Sequence, residues 1–430
     1  MPIVTASSRS AAVNHYSLIT IPLKRTTLTL LMWLALNAQA ENSIYSPQIK
    51  SLQTVVNEDW LSPTVMRLYG NDVLHVAFDE LSHDSHRYIY RLEHCEADWT
   101  ASDDIFESDW LEGFNNNTID DYEHSINTVV PYTHYQLHFP NDRCRLKLSG
   151  NYRIYIIDDD TGDTLASVEF MVTEQTMLLS MAATTNTDTD VNGSHQQVSF
   201  KLSYGDWQVT DVNRQIQTVV MQNGREDTWR WNTQPSAVNH LGLSFEHCRD
   251  LIFDAGNEYR KFEVLDTSHP TMGIERIRWD GDAWQAFPFI SEPRPAYIYD
   301  EDANGAFYIR NSDNRDNNIT SDYVWVNYRL KAPRLPEGVV VIEGRWATEE
   351  PETYQMTYNE ASGIYTASIL QKQGYYSYQY LWITNDGQSH PLPSEGNFFE
   401  TENRYQAMVY YKGTGERTWR LTSYSQITLR

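Results

Sequence analysis

NYRIYIIDDDTGDTLASVEFMV, residues Asn151 to Val172, decides how the chain is read. NYRIYIID is rich in Tyr and Ile, side chains that suit a pleated, half-buried surface. DDDTGDT is dense in turn formers. TLASVEFMV then returns as a second strand, so the stretch reads as a hairpin. Upstream, VLHVAFDEL (Val73 to Leu81) alternates apolar and polar residues. YIYRLEHCEADW (Tyr88 to Trp99) does the same over its first half, and YQLHFP (Tyr135 to Pro140) follows. Strands of this length and spacing predict a β-sandwich of Ig-like size.

The pattern continues to the end of the chain. HQQVSFKLSY, QIQTVVMQ, YRKFEVL and IERIRWD read as strands of a second unit, and Asn223-Gly224-Arg225 is a hairpin turn. YVWVNYRL, VVVIEGRW, GYYSYQYLW and YQAMVYYKG belong to a third. The polar run Arg310 to Asp322 between them reads as a linker. WLSPTV and ASDDIFESDWLEGF are the only short helix candidates. The expected fold class is all-β: tandem Ig-like or fibronectin-like β-sandwich domains with minor helix, divided as 41–174, 175–320 and 321–430. The 28 Tyr, 14 Phe and 13 Trp agree with strands over helices.

Residues 1–40 read as an export signal. Lys24-Arg25 is the positive region, Thr26 to Leu36 the apolar run, and Ala38-Gln39-Ala40 the small-x-small cleavage site. The residue after the cut is Glu41, not Cys, so no lipid anchor is expected. Residues 1–20 sit ahead of the basic region as an over-called start would. The net charge is −25, and loss of residues 1–40, with three basic residues and no acid, takes it to −28. That balance excludes nucleic acid, whose phosphates need basic stripes, and anionic lipid headgroups.

Chemistry is sought first in RLEHCEADW (Arg91 to Trp99) and its echo FEHCRDL, residues 245–251. Strand alternation sends His94 and Glu96 to one face, Glu93 and Cys95 to the other. Glu93, His94, Cys95, Glu96 and Asp98 therefore do not all converge, and no CxxC or HxxxH pair completes a metal set. The preferred reading is a strand ending at a core Trp99. Three Cys (Cys95, Cys144, Cys248) leave at least one thiol unpaired. Cys95 and Cys144 fall in the same unit and could form one disulfide; buried free thiols are the preferred reading.

Asp188, Asp190 and Asn192 match the first half of a calcium loop, as do Asp300, Asp302 and Asn304. Both loops lack the closing Glu: the twelfth positions are Ser199 and Asn311. An Asn-Gly hairpin turn is the preferred reading of each. The carboxylates Asp103, Asp104, Glu107, Asp109 and Glu112 are dense, but density is not the facing pair a glycosidase needs. No GxSxG, Walker, dinucleotide or HExxH motif occurs.

LEHCEADW, SINTVVPYTHYQLHFPND, SGNYRIYI, SHQQVSFKL, AGNEYRKFEV, ITSDYVWVNYRL, EGNFFETENRYQAMVYYKG and GERTWRL occur in this order. With them the chain resembles the plug protein family of the bacterial type IX secretion system, long known in Bacteroidota as a domain of unknown function. The resemblance runs over nearly all of the chain after the export signal. It implies a non-enzymatic periplasmic protein at the inner face of the outer membrane. Its implied partner is the giant translocon barrel, whose pore it closes when no substrate passes. It brings no catalytic residues and no cofactor. The region before Lys24 and the third Cys depart from the family pattern. A carbohydrate-binding accessory protein is the alternative, from the aromatic content and a last third that resembles early-set Ig-like domains.

Overall fold

The computed structural model describes residues 42–430, and the export-signal reading lies outside them. The opening hairpin forms as read: strands Gly150–Asp158 and Thr164–Thr173 pair antiparallel. Strand Tyr88–Cys95 lies on the other side of Gly150–Asp158. The opposing sheet is Ile49–Val56, Leu74–Glu80, Thr133–Phe139 and Asp121–His124. Tyr90, Leu92, Tyr152, Ile154, Val168 and Phe170 meet Val76, Phe78 and Tyr135 between the two sheets, and all are buried. Alternation explains this, because inward and outward residues separate along every strand.

The second sandwich pairs Leu178–Thr184, His195–Ser203 and Gly242–Phe245 in one sheet. Its other sheet is Arg225–Trp231, Ile216–Gln222, Asn403–Tyr411 and Arg420–Leu429. The Asn223-Gly224 turn has positive φ at both residues, 57° and 76°, as a two-residue hairpin of this twist requires. The third sandwich is built on strand Gly374–Ile383. Arg260–Val264, Phe307–Ile309, Val339–Glu343 and Ser389–Pro391 all pair with it. The facing sheet runs Ile274–Trp279, Trp284–Pro288, Tyr323–Lys331, Ile364–Lys372 and Thr357–Asn359.

This pairing corrects the linear division at 175–320 and 321–430. Residues 260–309 give their strands to the third sandwich, and residues 403–429 complete the second. Backbone pairing rewards register and apolar facing, not nearness in sequence. The described residues, 42–430, form a single compact unit.

The expected linker is also corrected. It holds the one-turn helix Asn317–Thr320, and its carbonyls are bound by the first sandwich. The Tyr132 hydroxyl donates to Asn318 O at 3.1 Å and to Ser321 O at 2.8 Å. WLSPTV is a turn instead of a helix. The half-buried Arg345 guanidinium donates to the carbonyls of Trp60 at 2.8 Å and Ser62 at 3.1 Å. Burial, with Arg404 nearby, lowers Arg345 to about 10. The helix candidate in ASDDIFESDWLEGF forms as one turn, Glu107–Trp110.

The first and third sandwiches share a fully buried ion pair. Asp79 and Lys372 side chains are each 1% exposed, and their Oδ2–Nζ distance is 2.5 Å. His134 donates to Asp79 Oδ1 at 2.6 Å and Tyr323 to Oδ2 at 2.7 Å. Lys372 also donates to Asn318 O at 2.6 Å and lies 4.0 Å from the Tyr132 ring centroid. Burial alone would raise Asp79, but the Lys372 charge and the His134 hydrogen bond outweigh it and hold the carboxyl below its usual range.

Lys372→Met strands a buried carboxylate and is expected to cost about 3–5 kcal/mol in urea unfolding. Asp79→Asn with Lys372→Met should recover most of that loss. A single-variant cost near zero would show that the pair does not hold the joint. Because the folded Asp79 value is lowered, its stability contribution is present above about pH 4 and is lost as pH falls through the folded value. The acid limb of the wild-type stability profile should therefore flatten in the double variant.

Candidate functional site: a groove between the first and second sandwiches

Strand Tyr88–Cys95 ends in the EHC triplet, and its two faces do different work. Tyr90, Leu92 and His94 face the first core. His94 is 2% exposed, edge-on to Tyr152 at 4.9 Å. Its Nδ1 accepts from the Ser102 hydroxyl at 2.8 Å. Gly150, at φ +147°, makes room for the ring, since a Cβ there would stand 2.6 Å from His94 Nε2. Burial pushes His94 down to about 4, so the imidazole is neutral.

Cys95 faces the other way, with Glu93. It joins Ala97, Trp99 and Met171 against Val219, Met221, Met408, Tyr410 and Leu421. The first group belongs to the first sandwich and the second to the second, so EHCEADW is a joint between them. Trp99 has φ 64°, costly for a bulky residue and held by its surroundings. Asn151 Nδ2 donates to the carbonyls of Glu96 at 3.1 Å and Ala97 at 3.2 Å. The Tyr410 hydroxyl of the second sandwich donates to Asn151 Oδ1 at 2.9 Å. Burial pushes the Cys95 thiol up to about 12. A neutral imidazole and a sealed thiol on opposite faces do not form a nucleophile–base pair.

The turn past the joint forms one bank of a groove of roughly 710 Å³. Glu96, Asp98, Asp103 and Asp104 line that bank, and Trp231, Trp419 and Lys412 line the other. Four carboxylates oppose one ammonium, and two indoles provide π faces. That combination recognises a Lys or Arg side chain, by charge and by cation–π contact. Asp103 and Asp104 are visible in the sequence as acidic residues, but Trp231 comes from the end of a distant strand, and Lys412 and Trp419 from the loop between Asn403–Tyr411 and Arg420–Leu429, so none of these three carries a local signal. The other carboxylates of that acidic run turn away from the groove. Asp109 binds Arg417 at 2.6 Å, Glu112 binds Arg145 at 2.8 Å, and Glu107 accepts from Asn115 at 2.9 Å.

The remaining candidates are placed separately. Cys95, Cys144 and Cys248 are all free and buried, and Cys95 and Cys144 are not bridged. Cys144 lies 3.6 Å from the Tyr90 hydroxyl on the inner face, whereas Cys95 faces outward, so the sheet separates the thiols. The second EHC is no strand: His247 is exposed at φ 57°, and Cys248 precedes a 3-10 turn. Asp188 is hydrogen-bonded by His247 at 3.0 Å and Gln197 at 2.8 Å. Asp190 binds His195 at 2.7 Å, and Asn192 Oδ1 accepts from Thr185 at 2.7 Å. Asp300 pairs with Lys261 at 2.7 Å. Asp302 accepts from the Tyr259 and Asn304 amides, and burial raises it to about 7. Asn304 sits at φ 47° in the turn. Among the described residues no group of three or more His, Cys, Asp or Glu is disposed to hold a metal ion.

Residues 49–174 match the family model described as type 9 secretion system plug protein 1st domain. The match ends just past the last strand of the first sandwich, Thr164–Thr173. A crystal structure of a hypothetical protein from Parabacteroides merdae is 34% identical, with a TM-score of 0.88. The alignment covers 91% of this chain and all of that one. The C-terminal domain of the Streptococcus pyogenes antigen I/II-family protein AspA is 9% identical, over 89% of this chain and 99% of that one, at a TM-score of 0.15. Dimeric latent PorU from Porphyromonas gingivalis is 10% identical, over 89% and 34%, also at 0.15. Neither of these two carries an argument. No curated protein matches the chain.

Thiol titration of the native protein with an aromatic disulfide at pH 8 is expected to label none of the three thiols quickly, and all three in denaturant. Recovery of one thiol under denaturing, non-reducing conditions would show a bridge. Tyr410→Phe leaves Asn151 Oδ1 unpaired in the joint and should cost about 1–3 kcal/mol in chemical denaturation.

Proposed function

The chain belongs to the type 9 secretion system plug protein family, and we propose that it stops the pore of the outer-membrane translocon. In this reading it works in the periplasm, at the inner face of the outer membrane. It docks on the periplasmic end of the giant translocon barrel and closes the pore while no substrate passes. The observation that carries the reading is the family match over residues 49–174. The near-complete superposition on a 34% identical structure extends the same architecture through all three sandwiches.

The build supports a stopper. Such a part needs a wide body that does not deform under load. Here the three sandwiches are clamped by polar joints, among them the buried Asp79–Lys372 pair and the half-buried Arg345 clasp on Trp60. A releasable stopper also needs a moderate, partly polar interface. The acidic groove offers one, matched to cationic loops at a barrel rim. No helix of the described residues is long and apolar enough to cross a membrane.

A tagged chain used as bait in detergent extracts of outer membrane is expected to recover the giant barrel. Recovery should fall as salt rises, since exposed charge pairs are screened over about 8–10 Å. It should also fall when Asp98, Asp103 and Asp104 are changed together to Asn. Recovery of no barrel would sink the assignment. Recovery indifferent to both salt and the triple variant would sink the groove as the docking site while leaving the partner intact.

A further inference from the structure

Within a chain of net charge −25, one sheet face of the third sandwich is basic. Strand Ile274–Trp279 pairs with Trp284–Pro288 so that Arg276 lies opposite Phe287. Strand Tyr323–Lys331 runs parallel on the far side of Trp284–Pro288, with Gln285 beside Trp325. Alternation turns Arg276, Arg278, Phe287, Trp325 and Arg329 outward, opposite to the core residues Ile277, Ala286 and Val326. Three guanidiniums gather over one ring. Their Cζ atoms lie 4.3 Å (Arg276), 5.1 Å (Arg278) and 5.8 Å (Arg329) from the Phe287 centroid. They cover Phe287 to 8% exposure, while Trp325 beside them remains 38% exposed.

Like charges do not crowd without compensation. Part of it is internal: Glu275 pairs with Arg329 and stands 3.9 Å from Arg276. Arg278 has no carboxylate within ion-pair distance among the described residues. The ring fixes the planar guanidiniums, so their forks are presented ready-made, and such forks match carboxylates in bidentate geometry. Glu275 shows that the cluster already accepts one. An acidic protein repels acidic partners over most of its surface. This face is where a carboxylate is attracted instead, and the exposed Trp325 adds apolar contact.

We propose that this face binds a carboxylate-rich segment of a partner protein through Arg276 and Arg278, with Arg329 and Glu275 holding the array in place. The acidic groove and this basic face then select segments of opposite charge, and the inference does not rest on the plug reading.

The test uses the full chain and fluorescein-labelled deca-glutamate, read by anisotropy at low salt. Arg276 and Arg278 are exposed, so Arg276→Gln/Arg278→Gln should keep the wild-type melting profile. The expected result is saturable binding that weakens at least about tenfold in the double variant, and that also falls with added salt. Deca-lysine binding, which reports on the acidic groove, should not change in the same variant. Equal deca-glutamate binding by wild type and variant overturns the proposal, as does no binding by wild type. Binding of a polyuronate in place of deca-glutamate also overturns it, in favour of an acidic glycan.

Discussion

A carboxylate and an ammonium sealed from water set the strictest condition in this molecule. Removing two charges from solvent costs several kcal/mol each, and only near-ideal geometry offsets that. Asp79 meets it with three donors at once, drawn from both sandwiches. Tyr323 and Lys372 are directly opposite one another across their strand pair, so both project to the same side. A register slip of one residue would turn one of them away. The pair therefore fixes strand register within the third sandwich and its docking on the first. The carbonyl of Asn318 takes a further Lys372 proton, which pins the segment between sandwiches to the same point.

Strands were legible in the sequence because alternation and turn chemistry are local. The hairpin at Asn151–Val172 and the turn at Asn223-Gly224 needed nothing beyond their own residues. Long-range pairing was not legible. Arg260–Val264 finds Gly374–Ile383 more than a hundred residues later, and Tyr90 in an early strand packs over Cys144. The polar run at residues 310–322 looked like a linker because its stabilising contacts come from outside it. Tyr132, Val129 and Lys372 satisfy its backbone and carboxylate groups. The divided faces of Glu93, His94 and Cys95 follow from strand alternation, but the strand ends at Cys95, and Glu96 to Trp99 form a turn where a strand running to Trp99 is expected. The strand's outward face, however, seats a second sandwich instead of meeting solvent. Half of the groove was visible as acidic residues. The other half, Trp231, Trp419 and Lys412, is supplied by a strand end and a hairpin loop that only the fold brings near.

The surface has two electrostatic characters. Carboxylates and indoles face each other in the groove at the first joint, and guanidiniums stacked on Phe287 occupy a sheet of the third sandwich. Aromatic rings anchor both, but they serve opposite partners: an indole face attracts a cation, whereas a ring covered by arginines presents positive charge outward. Burial of the imidazole of His94 and the thiol of Cys95 has the reverse consequence. It removes the most reactive groups of the motif from contact with solvent and leaves them as packing.

Strand Ile216–Gln222 has Asn403–Tyr411 as its inner neighbour, and Arg420–Leu429 lies beyond that. Arg420 reaches back to Glu174 in a two-pronged contact, with 2.8 Å for each prong. A chain that emerges N-terminus first must therefore hold its second sandwich open, with Val220 and Phe200 uncovered, until strand Asn403–Tyr411 arrives. The hairpin Asn403–Leu429 acts as a fastener supplied from far along the chain. Loss of Arg420–Leu429 would uncover the edge of Asn403–Tyr411 and leave Glu174 without the Arg420 guanidinium.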